Sequence, residues 1–590
     1  LSLFVAFTYF GNRVVFRLGD SFLAQGAILV DILVALAVFY YTCVRFHRYW
    51  IALLEAIQLG AVLWFEYVSH GTLDYYADII VDNFTLIMIL IAGVIGSLIA
   101  VFSLGYMEAF QKEHRDVRDR RNFFFFVLFL FLSAMFGLVV SNNLLYMYTF
   151  WEITSVCSFL LIGYTESRVA VNNSFKALLC GSVFAATIII MWLSYHSTAL
   201  SHLVGLALAG MPVTVILALL LLCGFTKSAM MPFSGWLLGA MVAPTPTSAL
   251  LHSSTMVKAG VFLIIKLCPA LGNNHAGTMA MFVGGITFFF ASCAAISQSD
   301  GKKVLAYSTI SNLGLIVCCA GIGSYEAAWT AIMIVIFHAV AKSLLFLSVG
   351  TAEQQLGSRD IERFDGLFNA MPHLCLCMVI GISGMFLAPF GMLISKWAAM
   401  KAFIDAGHPM LLLLLVFGSA TTIFYWAKWL GKILSVMNGQ ERREQGITKG
   451  EWFTLKTLSW MTIIVCILFP LISSYGVLPY LRITYGFTRD VIAQSNLIIM
   501  SLMVVLLVIL PSRYGKGQPK RKVGALLAGV NMGDDRNYHG AGDNIIPVEL
   551  RNWYMEEWFG EKKMKLSGFA LCMACIFIQF AIILGGVYRG

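Results

Sequence analysis

Long apolar runs separated by short polar loops dominate the sequence. Most of the runs are about twenty residues long, which is the length of a helix that crosses the hydrocarbon core of a bilayer. Strands of a membrane barrel would instead alternate in polarity over about ten residues. The stretch 50–66 is apolar enough to span but carries Glu55. We therefore expect an all-α, polytopic membrane helical bundle of about 14–16 spans. The predicted spans lie near 1–12, 22–44, 80–104, 123–140, 142–164, 174–195, 213–233, 246–267, 277–298, 303–321, 327–350, 374–403, 409–430, 453–475, 493–511 and 566–588.

Composition supports the same class of protein. Of 590 residues, 59% are hydrophobic and 12% are charged. Soluble domains carry about 25% charged residues, so a soluble globular fold is excluded.

The basic residues indicate how the bundle is oriented. The loop 105–122 is rich in Lys and Arg, and by counting spans the other basic loops and the long segment 512–565 lie on the same side. The opposite segments 67–79, 196–212, 268–276 and 321–326 contain no Lys or Arg. By the positive-inside rule the basic side is cytoplasmic, which predicts a multi-pass protein of the inner (cytoplasmic) cell membrane. Because the net charge of +9 is spread over many short loops, we expect no nucleic-acid partner.

Ionisable residues inside the apolar runs are the strongest indication of function. A charge at the centre of a spanning helix costs about 2.5–3.5 kcal/mol on insertion scales. A structural carboxylic acid, a lysine that reaches the interface, or a satisfied core histidine would explain any one of these residues. Together they predict a proton pathway. Its members are Glu152, Lys227, His252, Lys258, His338, Lys342 and Lys396.

Two prolines predict broken helices beside buried lysines. Pro232 follows Lys227 by five residues, and Pro389 precedes Lys396 in a Gly-containing run. Broken helices in a membrane are tolerated where they are buried or line a cavity, and transporters place ion sites there.

The matching positions of these breaks predict two inverted five-helix repeats. The expected division is 1–104 for N-terminal spans, 105–270 and 271–432 for the two repeats, and 433–590 for C-terminal spans with the cytoplasmic loop 512–565. His252 and Lys258 are expected on one helix, and His338 and Lys342, spaced i, i+4, on one face of another.

Neither a metal site nor a cofactor site is predicted. Cys572 and Cys575 form a C-x-x-C pair, but no second pair accompanies it, whereas iron–sulfur and zinc sites need four ligands. The sequence also lacks a phosphate-binding G-x-x-x-x-G-K-[ST] loop, so ATP is not expected to drive the protein.

Four segments carry a resemblance to a known family: WExxxxCSFLLIG at 151–163, KSAxxPFxxWLxxAMxxPTPxSALLHxxTMVKAG at 227–260, DxKKVLAYSTISxxG at 300–314 and FHAxxKSLLFLxxG at 337–350. They resemble the antiporter-like subunits of respiratory complex I, Mrp-type cation/proton antiporters and energy-converting membrane hydrogenases. The resemblance covers residues 80–430 strongly. It implies a coupled pair of Glu152 and Lys227, a central hydrophilic axis of His252, Lys258, His338 and Lys342, and a terminal site at Lys396.

The resemblance also implies a function and partners. The chain would be a proton-translocating subunit of a hydrogenase-type or NADH:quinone-type oxidoreductase, with other antiporter-like and small membrane subunits and a cytoplasmic redox arm carrying iron–sulfur clusters as partners. Residues 512–565 differ from the long lateral helix of the terminal complex I subunit, with one short candidate helix at 548–559. This difference favours the energy-converting hydrogenase branch. A stand-alone or Mrp-type cation/proton antiporter subunit remains an alternative, as does a membrane scaffold or inorganic-carbon uptake subunit.

Overall fold

The computed structural model describes residues 2–17, 22–69, 78–178, 182–387, 389–435, 443–486, 490–514, 530–532, 537–547 and 551–587. These residues are predominantly helical, which confirms the all-α prediction for a multi-pass membrane protein. The helices are α1 Ser2–Tyr9, α2 Phe22–Phe39, α3 Tyr49–Ser69, α4 Asn83–Leu90, α5 Gly96–Glu113, α6 Arg121–Val140, α7 Leu144–Ile162, α8 Arg168–Leu178, α9 Ser182–Tyr195, α10 Leu200–Leu208, α11 Thr214–Lys227, α12 Gly235–Gly239, α13 Thr245–Ser253, α14 Met256–Leu271, α15 His275–Ile296, α16 Gly301–Ile322, α17 Tyr325–Leu356, α18 Leu367–Ala370, α19 Pro372–Phe386, α20 Gly391–Asp405, α21 Pro409–Leu434, α22 Lys449–Ile467, α23 Phe469–Leu471, α24 Leu478–Tyr485, α25 Gln494–Tyr514, α26 Glu556–Phe559 and α27 Glu561–Val587.

The short strands form two small antiparallel sheets. They form an antiparallel pair and a small antiparallel sheet in the order β3-β4-β5. The strands are β1 Val14–Phe16, β2 Ile79–Val81, β3 Val530–Asn531, β4 Asn537–His539 and β5 Ile545–Pro547. In the first pair Val14 lies opposite Val81, which fixes the entry of the chain into α4.

The number of membrane spans depends on whether the shorter helices are counted. In the described part of the chain, 11 helices are long and apolar enough to cross a membrane, or 12 if α22 and the bent continuation 469–485 count as one span. The apolar segments Tyr49–Phe65, Ala186–Tyr195, Thr214–Lys227 and Gln494–Leu507 are shorter. The predicted 14–16 spans are reached only when these segments are counted. The first predicted span, 1–12, contains only the eight-residue helix α1, which is too short to cross a bilayer.

The centre of the molecule is formed by α16 and α17. The apolar segments of both helices are buried on all sides, as expected of helices that are hydrophobic around their whole circumference. Both helices have well-formed ends. The Asp300 carboxylate accepts hydrogen bonds from the first backbone N–H groups of α16, the Ser324 hydroxyl accepts one at the start of α17, and Gly323 and Gly357 end the two helices with positive φ. These ends hold the His338-bearing helix in a fixed register beside its neighbour.

Besides the bend between α22 and 469–485, the described helices break at the two predicted prolines and between α13 and α14. Pro232 lies in the turn between α11 and α12, and Pro389 lies between α19 and α20. The expectation of one continuous helix carrying His252 and Lys258 is wrong, because the chain leaves helical geometry at Ser254 and Thr255, between α13 and α14. The segment α5 also runs to Glu113, into the predicted loop 105–122. The division into four parts and two inverted repeats stays a prediction.

The C-terminal segment is anchored to the basic side of the bundle. Its last helix, α27, packs along α15, and Glu561 at its start accepts a hydrogen bond of 2.7 Å from the hydroxyl of Tyr307 on α16. Ahead of α26, the Asn552 backbone N–H and the Tyr554 hydroxyl donate to the carboxylate of Glu362. Lys432 forms a 2.8 Å ion pair with the same carboxylate. The segment is therefore attached through specific polar contacts.

These contacts correct the predicted helix at 548–559. Residues 548–550 lie outside the described ranges, residues 551–555 are not helical, and only Glu556–Phe559 form a helical turn. The left-handed φ of +49° at Met555 separates the two parts. Hydrogen bonds from the backbone and side chains of this segment to Glu362 replace the intrahelical bonds that the sequence pattern suggested.

The anchoring of the C-terminal segment should depend on pH. Burial raises the pKa of Glu362, but hydrogen bonds from Lys432 and Tyr554 lower it more, so the net pKa lies below the ordinary value of 4.5. A carboxyl group whose pKa is lowered on folding stabilises the folded form above its unfolded pKa, and this stabilisation is lost as the pH falls through the folded pKa. We expect a spin label at the exposed position Trp553, introduced through Trp553→Cys, to gain mobility as the pH falls below 4.5.

The matched variant is Glu362→Gln, which removes the charge but keeps the shape of the side chain. In this variant the spin label at position 553 should be mobile already at neutral pH, and its mobility should change little on acidification. A label that is equally immobile in both proteins at neutral pH would contradict the role of the Glu362 charge.

Candidate functional site

Lys227 lies at the C-terminal end of α11, where the helix stops ahead of the Pro232 turn. The last carbonyl groups of a helix carry partial negative charge and favour a cation at this end. The Lys227 ammonium donates hydrogen bonds to the carbonyl oxygen of Trp151 at 2.9 Å and to the hydroxyl of Ser155 at 2.8 Å. It also lies 5.0 Å from the centroid of the Trp151 ring. The lysine is thereby bound to α7, the helix that carries Glu152.

Glu152 is buried on α7, and its Oε1 atom has no hydrogen-bond partner in the described part of the chain. The ion pairs formed between described residues do not include a direct contact between Glu152 and Lys227. The two groups are instead connected through the backbone of Trp151, the residue before the glutamate. The structure thus places the predicted acid–lysine pair on neighbouring helices but does not show the direct form of that pair.

Two glycines allow α11 and α14 to approach closely behind Lys227. A Cβ atom on Gly260 would lie 2.2 Å from the Ser228 hydroxyl oxygen and 2.5 Å from the backbone oxygen of Gly224. Neither distance leaves room for a side chain. This backbone contact fixes the end of the helix that presents Lys227 relative to the helix that presents Lys258.

Lys258 and His338 are in direct contact. The Lys258 Nζ atom and the His338 Nδ1 atom are 2.9 Å apart, and both residues are fully buried. His338 and Lys342 share the uninterrupted helix α17, as predicted. Either nitrogen can be the donor in the contact, depending on where the proton resides. The contact therefore joins the two halves of the predicted central axis.

His252 lies on the other side of the helix break from Lys258. Its ring is fully buried, lies 4.7 Å from the centroid of the Phe346 ring, and has no hydrogen-bond partner for either nitrogen in the described part of the chain. The break places the polar groups of Ser254 and Thr255 in the interior of the bundle. The Thr255 hydroxyl donates a hydrogen bond of 2.8 Å to the Leu250 carbonyl oxygen. A buried imidazole without a partner next to irregular backbone is a suitable place for a water molecule.

The remaining two lysines are also inside the protein. The Lys342 ammonium donates to the carbonyl oxygen of Leu305 at 3.1 Å and lies 5.0 Å from the centroid of the Trp426 ring. Lys396 follows the second helix break, is 6% exposed, and lies 5.6 Å from the centroid of the Phe288 ring. All seven predicted pathway residues are buried, so the structure offers none of them to lipid.

Two acidic residues near Glu152 were missed as site residues. Asp31 on α2 and Glu55 on α3 line one small cavity together with Glu152 and Tyr148. Among the carboxyl groups, the sequence analysis assigned Glu152 alone to the pathway, and this cavity places two more beside it. Both residues could have been found from the sequence, since each is a carboxylate within an apolar run. In the sequence analysis Glu55 counted only against a membrane span at 50–66.

Chemically, the arrangement combines buried carboxyl groups at one end with lysines and histidines along the rest. These groups gain and lose protons, and their burial makes each charge costly unless a neighbour compensates it. The Lys258–His338 contact can pass a proton directly, whereas the other steps need intervening water or side-chain movement. Such an arrangement fits stepwise proton movement through a membrane protein.

Comparisons with known proteins show which family the chain resembles. Residues 141–422 match the family described as "NADH:quinone oxidoreductase/Mrp antiporter, TM", and residues 64–124 match "NADH-Ubiquinone oxidoreductase (complex I), chain 5 N-terminus". All seven pathway residues fall inside the first match. Two curated relatives from Staphylococcus aureus strains MSSA476 and MW2, each described as "Putative antiporter subunit mnhA2", are 37% identical over 379 residues, which is 59% of this chain and 46% of the relative. The chain thus spans less than half the length of the curated relatives it matches.

Two solved structures share the fold. The Mrp complex from Dietzia sp. DQ12-45-1b aligns with a TM-score of 0.62 and 25% identity, covering 83% of this chain and 56% of the other. The membrane-bound sulfane sulfur reductase, an archaeal respiratory membrane complex, aligns with a TM-score of 0.61 and 20% identity, covering 82% of this chain and 99% of the other. At this identity the second likeness concerns the fold alone.

Proposed function

Because the chain belongs to the complex I/Mrp antiporter superfamily, we propose that it is a proton-translocating membrane subunit of a redox-driven complex, of the energy-converting hydrogenase type or a complex I relative. The single observation that carries the proposal is the 2.9 Å contact between Lys258 and His338 in the interior of the bundle. Two proton-exchanging groups in contact, one on α14 and one on α17, connect the Glu152 end with the Lys396 end.

The proposed sequence of events starts at Glu152 and Lys227. When the carboxyl group near Lys227 is neutralised, the ammonium loses electrostatic stabilisation and releases its proton more easily. The proton then moves past His252 to Lys258, His338 and Lys342, and leaves from Lys396 to the side opposite the basic loops. Moving one charge against 100 mV costs about 2.3 kcal/mol, which changes in a few buried pairs can supply.

The driving energy comes from partner subunits in this proposal. A cytoplasmic redox arm with iron–sulfur clusters would change the charge near the first pair, and other antiporter-like subunits would continue the pathway. The complex would sit in the cytoplasmic membrane.

A second function, that of a cation/proton antiporter subunit, is favoured by two of the comparisons. The curated relatives at 37% identity are described as antiporter subunits, and the likeness to the Mrp complex reaches 25% identity. In that case a cation gradient, rather than electron transfer, would drive the same proton-exchanging residues.

One experiment separates the two functions. The assembled complex is reconstituted into vesicles, and internal pH is followed with a dye after adding an electron donor, hydrogen or NADH, in sodium-free buffer. We expect donor-driven pH change without sodium. A pH change that appears only after a sodium jump, needs no electron donor and saturates with sodium would support the antiporter function and contradict the redox-driven one.

A further inference from the structure

A cavity of about 220 Å³ opens at the end of the bundle opposite the basic loops. The helix α6 starts at the basic loop 105–122 and reaches this cavity with Val139, near its other end. About 10–15 Å³ of such volume is enough for one water molecule, so a much larger group fits here. None of the seven pathway residues lines the cavity, so the proton pathway does not account for it.

Lys266 on α14 supplies one positive charge to the cavity wall. Its ammonium forms a 2.5 Å ion pair with Asp82 and lies 5.1 Å from the centroid of the Tyr480 ring. An ammonium has three N–H donors. The described contacts use one donor for Asp82 and a second, at 3.4 Å, for the Thr85 hydroxyl. One donor of Lys266 is therefore left for another acceptor.

A second positive charge in the cavity wall is not balanced. Asp82 is the carboxylate of the lining, and its single negative charge is already balanced by Lys266. Arg13, just before β1, lines the same cavity, is exposed, and lies close enough to Lys266 for the two charges to repel. Arg13 forms no ion pair within the described ranges of the chain. The lining residues therefore carry a net charge of +1.

Ser201 on α10 adds a neutral donor. Its hydroxyl oxygen accepts a hydrogen bond of 3.0 Å from the Asn142 amide, and its backbone N–H donates to the oxygen of the same amide at 3.1 Å. These two bonds fix Ser201 at the cavity wall. The hydroxyl proton has no acceptor among the residues that the structure describes, so it can donate to an oxygen atom in the cavity.

Apolar side chains continue from the cavity wall onto the outer surface of the bundle. Leu208 on α10 and Ile483 on α24 line the cavity and are 63% and 48% exposed. Gly205 also lines it, and a Cβ atom there would meet nothing within 4 Å, so the wall is open at this point. A free phosphate ion has no apolar part to place against such a wall, whereas a phospholipid has acyl chains.

The depth of the cavity fits a lipid headgroup. Lys266 lies five residues before Leu271, the last residue of α14, which is about 7.5 Å along the axis at 1.5 Å per residue. The headgroup layer on each side of a bilayer is about 5–8 Å thick. Basic pockets between membrane helices are known to bind anionic headgroups. The Lys266 ammonium is thus at the depth of the phosphate groups of one leaflet.

We propose that this cavity binds the phosphate group of one anionic phospholipid from the leaflet opposite the basic loops, with Arg13, Lys266 and Ser201 as donors. A phosphate diester carries one negative charge, which matches the net charge of the lining, and its oxygens accept strong hydrogen bonds from cationic donors. One acyl chain lies along Val204 and Leu208. The lipid thereby joins the segment before β1 to α10 and α14.

The test measures lipid binding and is independent of the proposed function. The assembled complex is reconstituted into phosphatidylcholine nanodiscs that contain a small fraction of phosphatidylglycerol with a diazirine near the top of one acyl chain. After illumination, mass spectrometry quantifies the adduct on residues 204–208. A diacylglycerol with the same diazirine reports contact with the apolar wall alone. We expect about tenfold more adduct from the phosphatidylglycerol than from the diacylglycerol.

The variant Arg13→Gln should lower the phosphatidylglycerol adduct about tenfold, as expected for the loss of one hydrogen bond between charged groups. Arg482→Gln is the matched control, because Arg482 is an exposed arginine on α24, the helix of Ile483, and does not line the cavity. Its adduct should equal that of the wild type. Should Arg13→Gln fail to assemble, the comparison of the two lipids in the wild type decides.

The proposal is overturned if both lipids label residues 204–208 equally, or if Arg13→Gln is labelled like the wild type. Full displacement of the lipid by millimolar inorganic phosphate, but not by chloride at equal ionic strength, would indicate a site for a free anion and also overturn it. The absence of any adduct at 204–208 would show that a partner subunit covers the cavity, which contradicts a lipid there. Intact lipid binding in a complex that does not pump would leave the site standing and the proposed function refuted.

Discussion

Replacing Lys227 with methionine should reduce proton translocation to background while the assembled complex continues its electron transfer. Methionine fills most of the lysine volume but carries no proton, so the step between Glu152 and the central axis is lost. The carbonyl oxygen of Trp151 and the Ser155 hydroxyl lose a donor, which costs about 1–3 kcal/mol and should leave the bundle folded. Proton release per electron is measured in vesicles, with quantification of the complex to correct for assembly.

Lys449→Met is the matched control for this variant. Lys449 is exposed at the start of α22, away from the pathway, so its loss should leave the proton-to-electron ratio unchanged. An unchanged ratio in Lys227→Met as well would show that Lys227 is structural.

The second large effect is expected at the Lys258–His338 contact. Lys258→Met and His338→Gln should each slow translocation at least tenfold, because each removes one of two proton-exchanging groups that lie 2.9 Å apart. If the two act as a unit, the double variant should be little slower than the slower single one, since residues in one network are not additive. Initial rates of internal pH change in vesicles are measured for the wild type, the two single variants and the double variant, which together form a double-mutant cycle.

Losses that multiply in the double variant would contradict this coupling. Ser343→Ala, one residue from Lys342 on α17, is a suitable packing control, because its hydroxyl donates to the Val340 carbonyl of its own helix at 2.8 Å. Its rate should remain close to that of the wild type.

Sequence patterns predicted the features that depend on local chemistry. Buried lysines in apolar runs, and prolines that stop helices beside Lys227 and Lys396, are visible in short windows of sequence. The break at Ser254 and Thr255 was not predictable in the same way, since neither glycine nor proline marks it. It is held by tertiary packing and by the Thr255 hydrogen bond to Leu250.

Contacts between residues far apart in the sequence could not be predicted from local patterns. Asp31 and Glu152 meet through the packing of α2 on α7, and no local pattern links positions so far apart. The 548–559 segment has a helical pattern, yet its contacts with Glu362 hold residues 551–555 in another conformation. In both cases tertiary interactions decide what local propensity leaves open.

In the proposed function, the contact between Lys258 and His338 would also limit how many protons the subunit moves in each cycle. A hydrogen bond between two nitrogens 2.9 Å apart needs a donor on one side and a lone pair on the other, so the two groups cannot both be fully protonated without breaking it. A second proton could enter the Lys258–His338 contact only after the first had left, so protons would pass this point one at a time. The proposed stoichiometry would then be the number of times per cycle that this contact loses one proton and gains another. Uncoupled leakage would require the contact to open.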